Sequence, residues 1–262
     1  MAPLADEDEH EREIRAYRER RLAKLTSESG WLTLVARYPL FEGANELPIG
    51  VATLEGGRVR IAIAPEMEVT CGGARVIGER EVRSDEPGPA DVLVHGSLRY
   101  ELVQRGDAIW FRVRDPESAA RRALRSIPAY PIDARWRVDA RFERPRPAHE
   151  SVHFDYTLGP AVDRPSAGEL VFELEGAERR LEVTIEDGQL FVLFGDQTNR
   201  DTTYPIGRFF YVPIPSGEGE RVILDFNKAL NPACAFTDHA SCPVVPADNK
   251  LALRIEAGEM RP

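Results

Sequence analysis

The chain has 262 residues, of which 42% are hydrophobic and 30% charged, and its formal net charge is -10. This globular mixture excludes a disordered or fibrous chain, and the length supports one large core or two modest ones without a metal or disulfide to make them fold. The negative field repels nucleic acid and anionic membranes, and no apolar run approaches the ~20 residues that span a bilayer.

The opening MAPLADEDEHERE is acidic and lacks the basic-then-apolar order of a secretory signal, so a cytoplasmic protein is expected. Residues 6–26 are expected to form a helix, with Ile14, Tyr17, Leu22 and Leu25 on one side. Acidic residues gather at its start and basic ones later, which matches the helix dipole. Ser27, Ser29 and Gly30 end it. From Trp31 the hydrophobic period becomes two. Strands are expected at Trp31–Tyr38, Arg58–Ile63, Met67–Cys71, Asp91–Val94, Ser97–Gln104 and Ala108–Val113, separated by Gly- and Pro-containing turns. Short strands at this spacing predict a sandwich. A helical turn is expected at Asp115–Arg125, capped by Asp115 with Pro116 in the first position.

A second set of strands follows a crossing segment at Ser126–Asp133. It comprises Arg135–Phe142, Ser151–Tyr156, Glu169–Leu174, Arg180–Ile185, Gln189–Phe194, Arg208–Val212, Arg221–Phe226 and Leu251–Ile255. The expected fold is therefore mainly β, with an N-terminal helix, a β-sandwich-like first half, and a second antiparallel sheet or barrel carrying long C-terminal loops. The corresponding boundaries are 1–30, 31–128 and 129–262.

The C-terminal third differs in character. The polar run Gly195 to Tyr204 leads into Gly207-Arg208, and an irregular, Pro-rich stretch follows Asp225-Phe226-Asn227. Polar loops hung from apolar strands are common places for binding sites, although Asp, Asn and Thr are also ordinary turn formers. The stretch VILDFNKALNPACAFTDHASCPVVPADNKLALRIEAGE resembles the C-terminal signature of domain-of-unknown-function family 1684, found in bacteria and archaea. That signature runs DFN-x-A-x-NP-x-CAF, then CP, P, N-x-L and I-x-AGE. FGDQTNRDTTYPIGRFFYV is similar to the same family's D-x-T, TY and GR pattern, and shorter matches such as Gly30-Trp31-Leu32 and Tyr130-Pro131-x-Asp133 extend the resemblance over most of the chain. The resemblance implies no established activity. Leu34 to Gly50, with Glu42-Gly43-Ala44-Asn45, is more weakly similar to the opening strands of forkhead-associated domains. Those sandwiches bind phosphothreonine through an Arg where this chain has Val51, so the likeness implies the sandwich and not phosphopeptide binding.

Arg208 is the most useful cation, because a guanidinium clamps carboxylate or phosphate at two points. If it faces inward it needs an anion, supplied by Asp196, by Asp225 or by a ligand. The expected site is a pocket for a small polar or anionic ligand lined by Asp196, Tyr204, Arg208, Asp225, Asn227, Asn231 and Asn249. Asp225 or Asp196 would be the base if the site is hydrolytic. The alternative is an interaction module, without chemistry, on the forkhead-associated-like half. Cys234, His239 and Cys242 form C-x4-H-x2-C, open to three readings: a disulfide staple, a zinc site short of a fourth ligand, or a cysteine nucleophile with His239 as base. No nucleotide, dinucleotide, serine-hydrolase or zinc-protease motif is present, and no cofactor is expected.

Overall fold

The computed structural model of the protein describes residues 7–147 and 149–262. The chain divides into two compact units, one of residues up to Ala23 together with Arg125–Pro262, the other Lys24–Leu124. Its mainly β architecture, opened by a single long helix, agrees with the expected fold class.

Helix α1 spans Glu7–Leu25. The residues it turns inward are His10, Ile14, Tyr17, Arg18 and Arg21, spaced three and four apart, so one face of the helix carries them all. That face shares Ile14 and Tyr17 with the apolar stripe read from the sequence, whose Leu25 is buried and Leu22 half-buried, but it also carries charge. Ile14 is fully buried, yet the charged residues beside it are inward too, because each has a specific partner.

In the Lys24–Leu124 unit the strands are β1 (Leu34–Pro39), β2 (Gly43–Leu47), β3 (Gly50–Glu55), β4 (Arg58–Ile63), β5 (Thr70–Cys71), β6 (Ala74–Arg75), β7 (Glu79–Val82), β8 (Val92–His95), β9 (Leu98–Arg105) and β10 (Ala108–Arg114). They form two antiparallel sheets ordered β1-β10-β9-β8-β5-β6 and β2-β3-β4-β7. One core joins them. Ala52, Val59 and Ile61 from one sheet pack with Leu93, Tyr100, Leu102 and Phe111 from the other, which makes the unit a sandwich. The expected strand at Trp31–Tyr38 begins later, since Trp31–Thr33 is a 3-10 turn. Only Thr70–Cys71 of the Met67–Cys71 run is strand. The short helix α2 covers Ala119–Ala123 and is capped by Ser118, whose hydroxyl accepts from the Arg121 amide. Asp115, the expected cap, instead accepts from the Glu117 amide at 2.9 Å and closes the turn before it.

The other unit holds β11 (Arg137–Glu143), β12 (Ser151–Phe154), β13 (Val162–Leu174), β14 (Ala177–Glu186), β15 (Gln189–Phe194), β16 (Arg208–Val212) and β17 (Arg221–Asp225). They build one antiparallel sheet, ordered β16-β15-β14-β13-β11-β17, with β12 added on β13. Both faces of its middle are covered. Leu190, Val192 and Phe194 join the main core with Leu181, Phe210, Phe226 and Ile255, while Phe191 and Leu193 join Val152, Phe154 and Val245 on the reverse. Burial on both faces is the reason β15 reads as a continuous apolar run. Leu251–Ile255, expected as a strand, joins no sheet ladder. Its alternating Leu251, Leu253 and Ile255 are buried, but its backbone bonds are divided between the Gly195–Gln197 backbone, which meets Leu251 and Leu253, and the side chains of Asp196 and Arg208, which meet Ile255. Among the described residues no helix is long and apolar enough to cross a membrane.

Candidate functional site

The sequence-derived residues other than Tyr204 fall into three polar centres. The first surrounds Arg208. As the first residue of β16 it alternates with Phe209 and turns toward the main core, where its guanidinium stands 5.3 Å from the centre of the Phe194 ring. Arg208 and Asp196 have fully buried side chains and pair at 2.7 Å. The inward arginine thus draws its anion from Asp196, not Asp225. Its remaining N–H groups donate to the carbonyls of Ile255 at 2.9 Å, Glu259 at 3.3 Å and Ala257, while Nε has no partner among the described residues. Burial pulls the Arg208 guanidinium below its ordinary range, and Asp196 opposes that. Asp196 also accepts from the amides of Thr198 at 2.7 Å and Ile255 at 3.3 Å. Gly207 precedes the arginine at φ +103; a β-carbon there would lie 2.1 Å from Val245 and 2.6 Å from the Phe194 carbonyl, so only glycine fits.

The second centre is Asp225 at the end of β17. One carboxylate oxygen hydrogen-bonds His10 of α1 at 2.7 Å; the other accepts from the Asn227 amide at 3.1 Å and the Asn227 side chain at 2.9 Å. Both partners are buried, so the aspartate faces no open solvent. Asn227 also pairs with the Asp133 backbone, its Oδ1 accepting from the N–H at 3.1 Å and its Nδ2 donating to the C=O at 2.9 Å. Asn249 makes the same two-sided pair with the Glu182 backbone, at 2.8 Å in each direction, and donates to the Leu193 carbonyl at 2.8 Å. An asparagine side chain placed this way substitutes for a neighbouring peptide unit.

The third centre ties down the C-terminus. The Asn231 amide donates to the Glu259 carboxylate at 2.6 Å, and its side chain donates to the Met260 carbonyl at 2.8 Å. Arg21 of α1 meets the other Glu259 oxygen at 3.1 Å and the Asn231 carbonyl at 2.7 Å. Burial pushes the Glu259 carboxyl above its ordinary range, with Arg21 opposing. Tyr204 stands apart from these centres: its hydroxyl donates to the Cys234 carbonyl at 2.7 Å. Sequence reasoning did not find His10, Arg21, Glu182 or Glu259. Placing Arg21 on the helical face of His10 and Ile14 was the available signal, because a cation on the buried face demands a partner.

Beside the first centre lies a shallow cleft of about 440 Å³, bounded by Arg135, Trp136, Glu175, Gln197, Ala252, Leu253, Arg254 and Glu256. Its walls hang on the Asp196 region. The Gln197 amide donates to the Leu253 carbonyl at 2.9 Å, and Leu251 donates to the Gly195 carbonyl at 2.8 Å. The Arg135 and Arg254 side chains are exposed, each in surface ion pairs with Asp133 or with Asp201 and Glu256. Trp136 is buried, and its indole N–H has no partner among the described residues.

Comparison with curated proteins finds no match. Among solved structures, an uncharacterized protein of Haloarcula marismortui, determined by NMR in solution, is similar at 28% identity and a TM-score of 0.45, covering 53% of this chain and 78% of its own. The profile described as Protein of unknown function (DUF1684) matches residues 122–260, more than half of the sequence, a span that takes in all three polar centres apart from their helix α1 partners. The chain belongs to the DUF1684 family.

Proposed function

We propose that the C-terminal unit binds a small polar or anionic ligand in the cleft between Arg135 and Arg254, and that the family's buried motif residues hold the cleft's walls in register. The observation that carries this reading is the Arg208–Asp196 pair. Through Ile255 and the adjoining Gln197–Leu253 bond it fixes the chain on either side of the opening. Two exposed guanidinium groups at the rim offer planar donors to a carboxylate or phosphate. Asp196, Tyr204, Arg208, Asp225, Asn227, Asn231 and Asn249 act in this reading as the frame of the site. Hydrolysis is not part of it, because Asp196 and Asp225 are each committed to buried partners. The sequence reading of a cytoplasmic protein without nucleic-acid partners is kept with it.

The test is a thermal-shift titration of the full chain with inorganic phosphate, citrate, succinate, free amino acids and small sugars. A ligand that raises Tm for the parent but not for Arg254→Ala or Arg135→Ala supports the cleft. Equal shifts in the parent and both variants, or no shift with any compound, would remove it.

A further inference from the structure

The segment after Asn231 folds irregularly, and its two cysteines come together there. Cys234 lies on the 3-10 turn Ala233–Ala235 and is half-buried, while Cys242 is buried. Both are free thiols. The Cys234 amide N–H donates to the Cys242 sulfur at 3.1 Å, so the two cysteines are neighbours without a bond between their sulfurs. Cys242 is anchored from the other side by a reciprocal pair with Thr157. Its amide donates to the Thr157 hydroxyl at 3.0 Å and its carbonyl accepts from the Thr157 amide at 3.0 Å. Tyr204 fixes Cys234 in the same way through its carbonyl. Two backbones pinned independently, with the N–H of one cysteine on the sulfur of the other, keep the pair side by side, the first condition for an intramolecular disulfide.

The two sulfurs are not equivalent. The hydrogen bond from Cys242 holds the Cys234 thiol below its ordinary range, whereas giving that bond, together with burial, pushes Cys242 up. Cys234 is also the more exposed of the pair.

We propose that Cys234 and Cys242 form a redox site that reacts with hydroperoxides, Cys234 as the attacking sulfur and Cys242 as the resolving one. In the first step the Cys234 thiolate attacks an oxygen of the hydroperoxide. The S–O bond forms, the O–O bond breaks, and the leaving alkoxide or hydroxide takes up a proton. In the second step the Cys242 sulfur attacks the Cys234 sulfenic acid. The S–S bond forms, the S–O bond breaks, and hydroxide leaves as water with the Cys242 proton. Two thiols are oxidised and one hydroperoxide is reduced to an alcohol, or to water, plus water. This site is separate from the proposed cleft, and neither reading depends on the other.

The experiment treats the full chain carrying Cys71→Ser with hydrogen peroxide, then counts thiols after denaturation and measures intact mass. Both remaining thiols should be lost together, with the mass lowered by two hydrogens and the chain still monomeric on a non-reducing gel. Adding Cys242→Ser should stop the reaction at a sulfenic acid trapped by dimedone, and Cys234→Ser should leave the Cys242 thiol intact. Survival of both thiols in the folded protein, a disulfide only between chains, or oxidation of Cys242 in the Cys234→Ser variant would overturn the assignment. If a serine variant fails to fold, peptide mapping of the peroxide-treated parent decides, by the presence or absence of a Cys234–Cys242 crosslink.

Discussion

Replacing Arg208 by Met tests whether the most specific motif residue is part of the frame. Methionine matches the aliphatic part of arginine but removes the guanidinium, so the cation–π contact with Phe194 and every polar contact disappear together while an apolar side chain still fills the space. What disappears is the 2.7 Å pair with Asp196 and the donors to the carbonyls of Ile255, Ala257 and Glu259. Asp196 is left without its cation at zero side-chain exposure, with only the Thr198 and Ile255 amides as donors. Breaking a fully buried pair from one side costs about 3–5 kcal/mol. For a protein of this size that corresponds to a Tm lower by roughly 6–20 °C. Chemical denaturation followed by circular dichroism gives the stability, and hydrogen–deuterium exchange of residues 251–260 gives the local effect, which should be the largest in the chain. Adding Asp196→Asn removes the stranded charge, so the double variant should be more stable than the sum of the single losses predicts, by about 0.5–3 kcal/mol. A single variant within about 1 kcal/mol of the parent, or strictly additive losses, would refute the claim that this pair holds the fold.

Asn249→Asp keeps the shape but removes two donors and puts a carboxylate against the Glu182 and Leu193 carbonyls; a loss of about 3–5 kcal/mol at neutral pH is expected, shrinking as acid protonates the new group, and denaturation midpoints across pH check it. Gly258→Ala should cost at least about 1 kcal/mol in Tm analysis, because φ is +74 and the added carbon would lie 2.6 Å from the Ala229 carbonyl. Burial raises the Glu182 carboxyl, and its Oε1 has no hydrogen-bond partner among the described residues, with His149 only at 4.0 Å, so ionisation there opposes folding. That group's contribution is fully favourable below the unfolded-state pKa and is lost as pH rises through the higher folded value; Glu182→Gln should therefore gain stability relative to the parent at neutral pH and lose that advantage in acid, as parallel denaturation series would show.

Strands whose face pattern is simple were legible to the residue. Arg58–Ile63 alternates apolar and polar side chains because one face packs on the core, and Gln189–Phe194 is apolar throughout because both faces are covered. Strand β7 escaped notice because Glu-Arg-Glu-Val carries charge on three of its four positions and earns its place by pairing with β4. Leu251–Ile255 shows the opposite error. Alternation reports which side chains are buried, and it is silent on whether a neighbouring strand takes the backbone hydrogen bonds. An internal anion for Arg208 was one of the two expected outcomes, and Asp196 supplies it. What could not be read was the choice of Asp196 over Asp225, or the pairing of Asp225 with His10, which lies 215 residues away. The two-sided amide pairs of Asn227 and Asn249 were equally hidden, since an asparagine in a polar loop reads as a turn former whatever it bonds.

The length of the family signature follows from the same accounting. A strand inside a sheet has its N–H and C=O groups satisfied by the next strand, and that ladder accepts almost any side chain. The chain from Asn249 to Met260 is largely buried without a sheet ladder; backbone amides of Gly195, Gln197 and Tyr130 reach the carbonyls of Asn249, Leu253 and Gly258, and others take side-chain donors. Arg208 serves Ile255, Ala257 and Glu259; Asn231 serves Met260; Asp196 takes the Ile255 amide. Each of those roles admits one residue type at one position, because an unpaired buried carbonyl costs about 1–3 kcal/mol. A dense run of Asp, Asn, Arg and Gly is thus what an irregular buried tail demands even where no reaction occurs. The residues to test for ligand contact are accordingly the less distinctive ones on the cleft rim, Arg135 and Arg254, whose side chains reach solvent and whose replacement leaves that internal network whole.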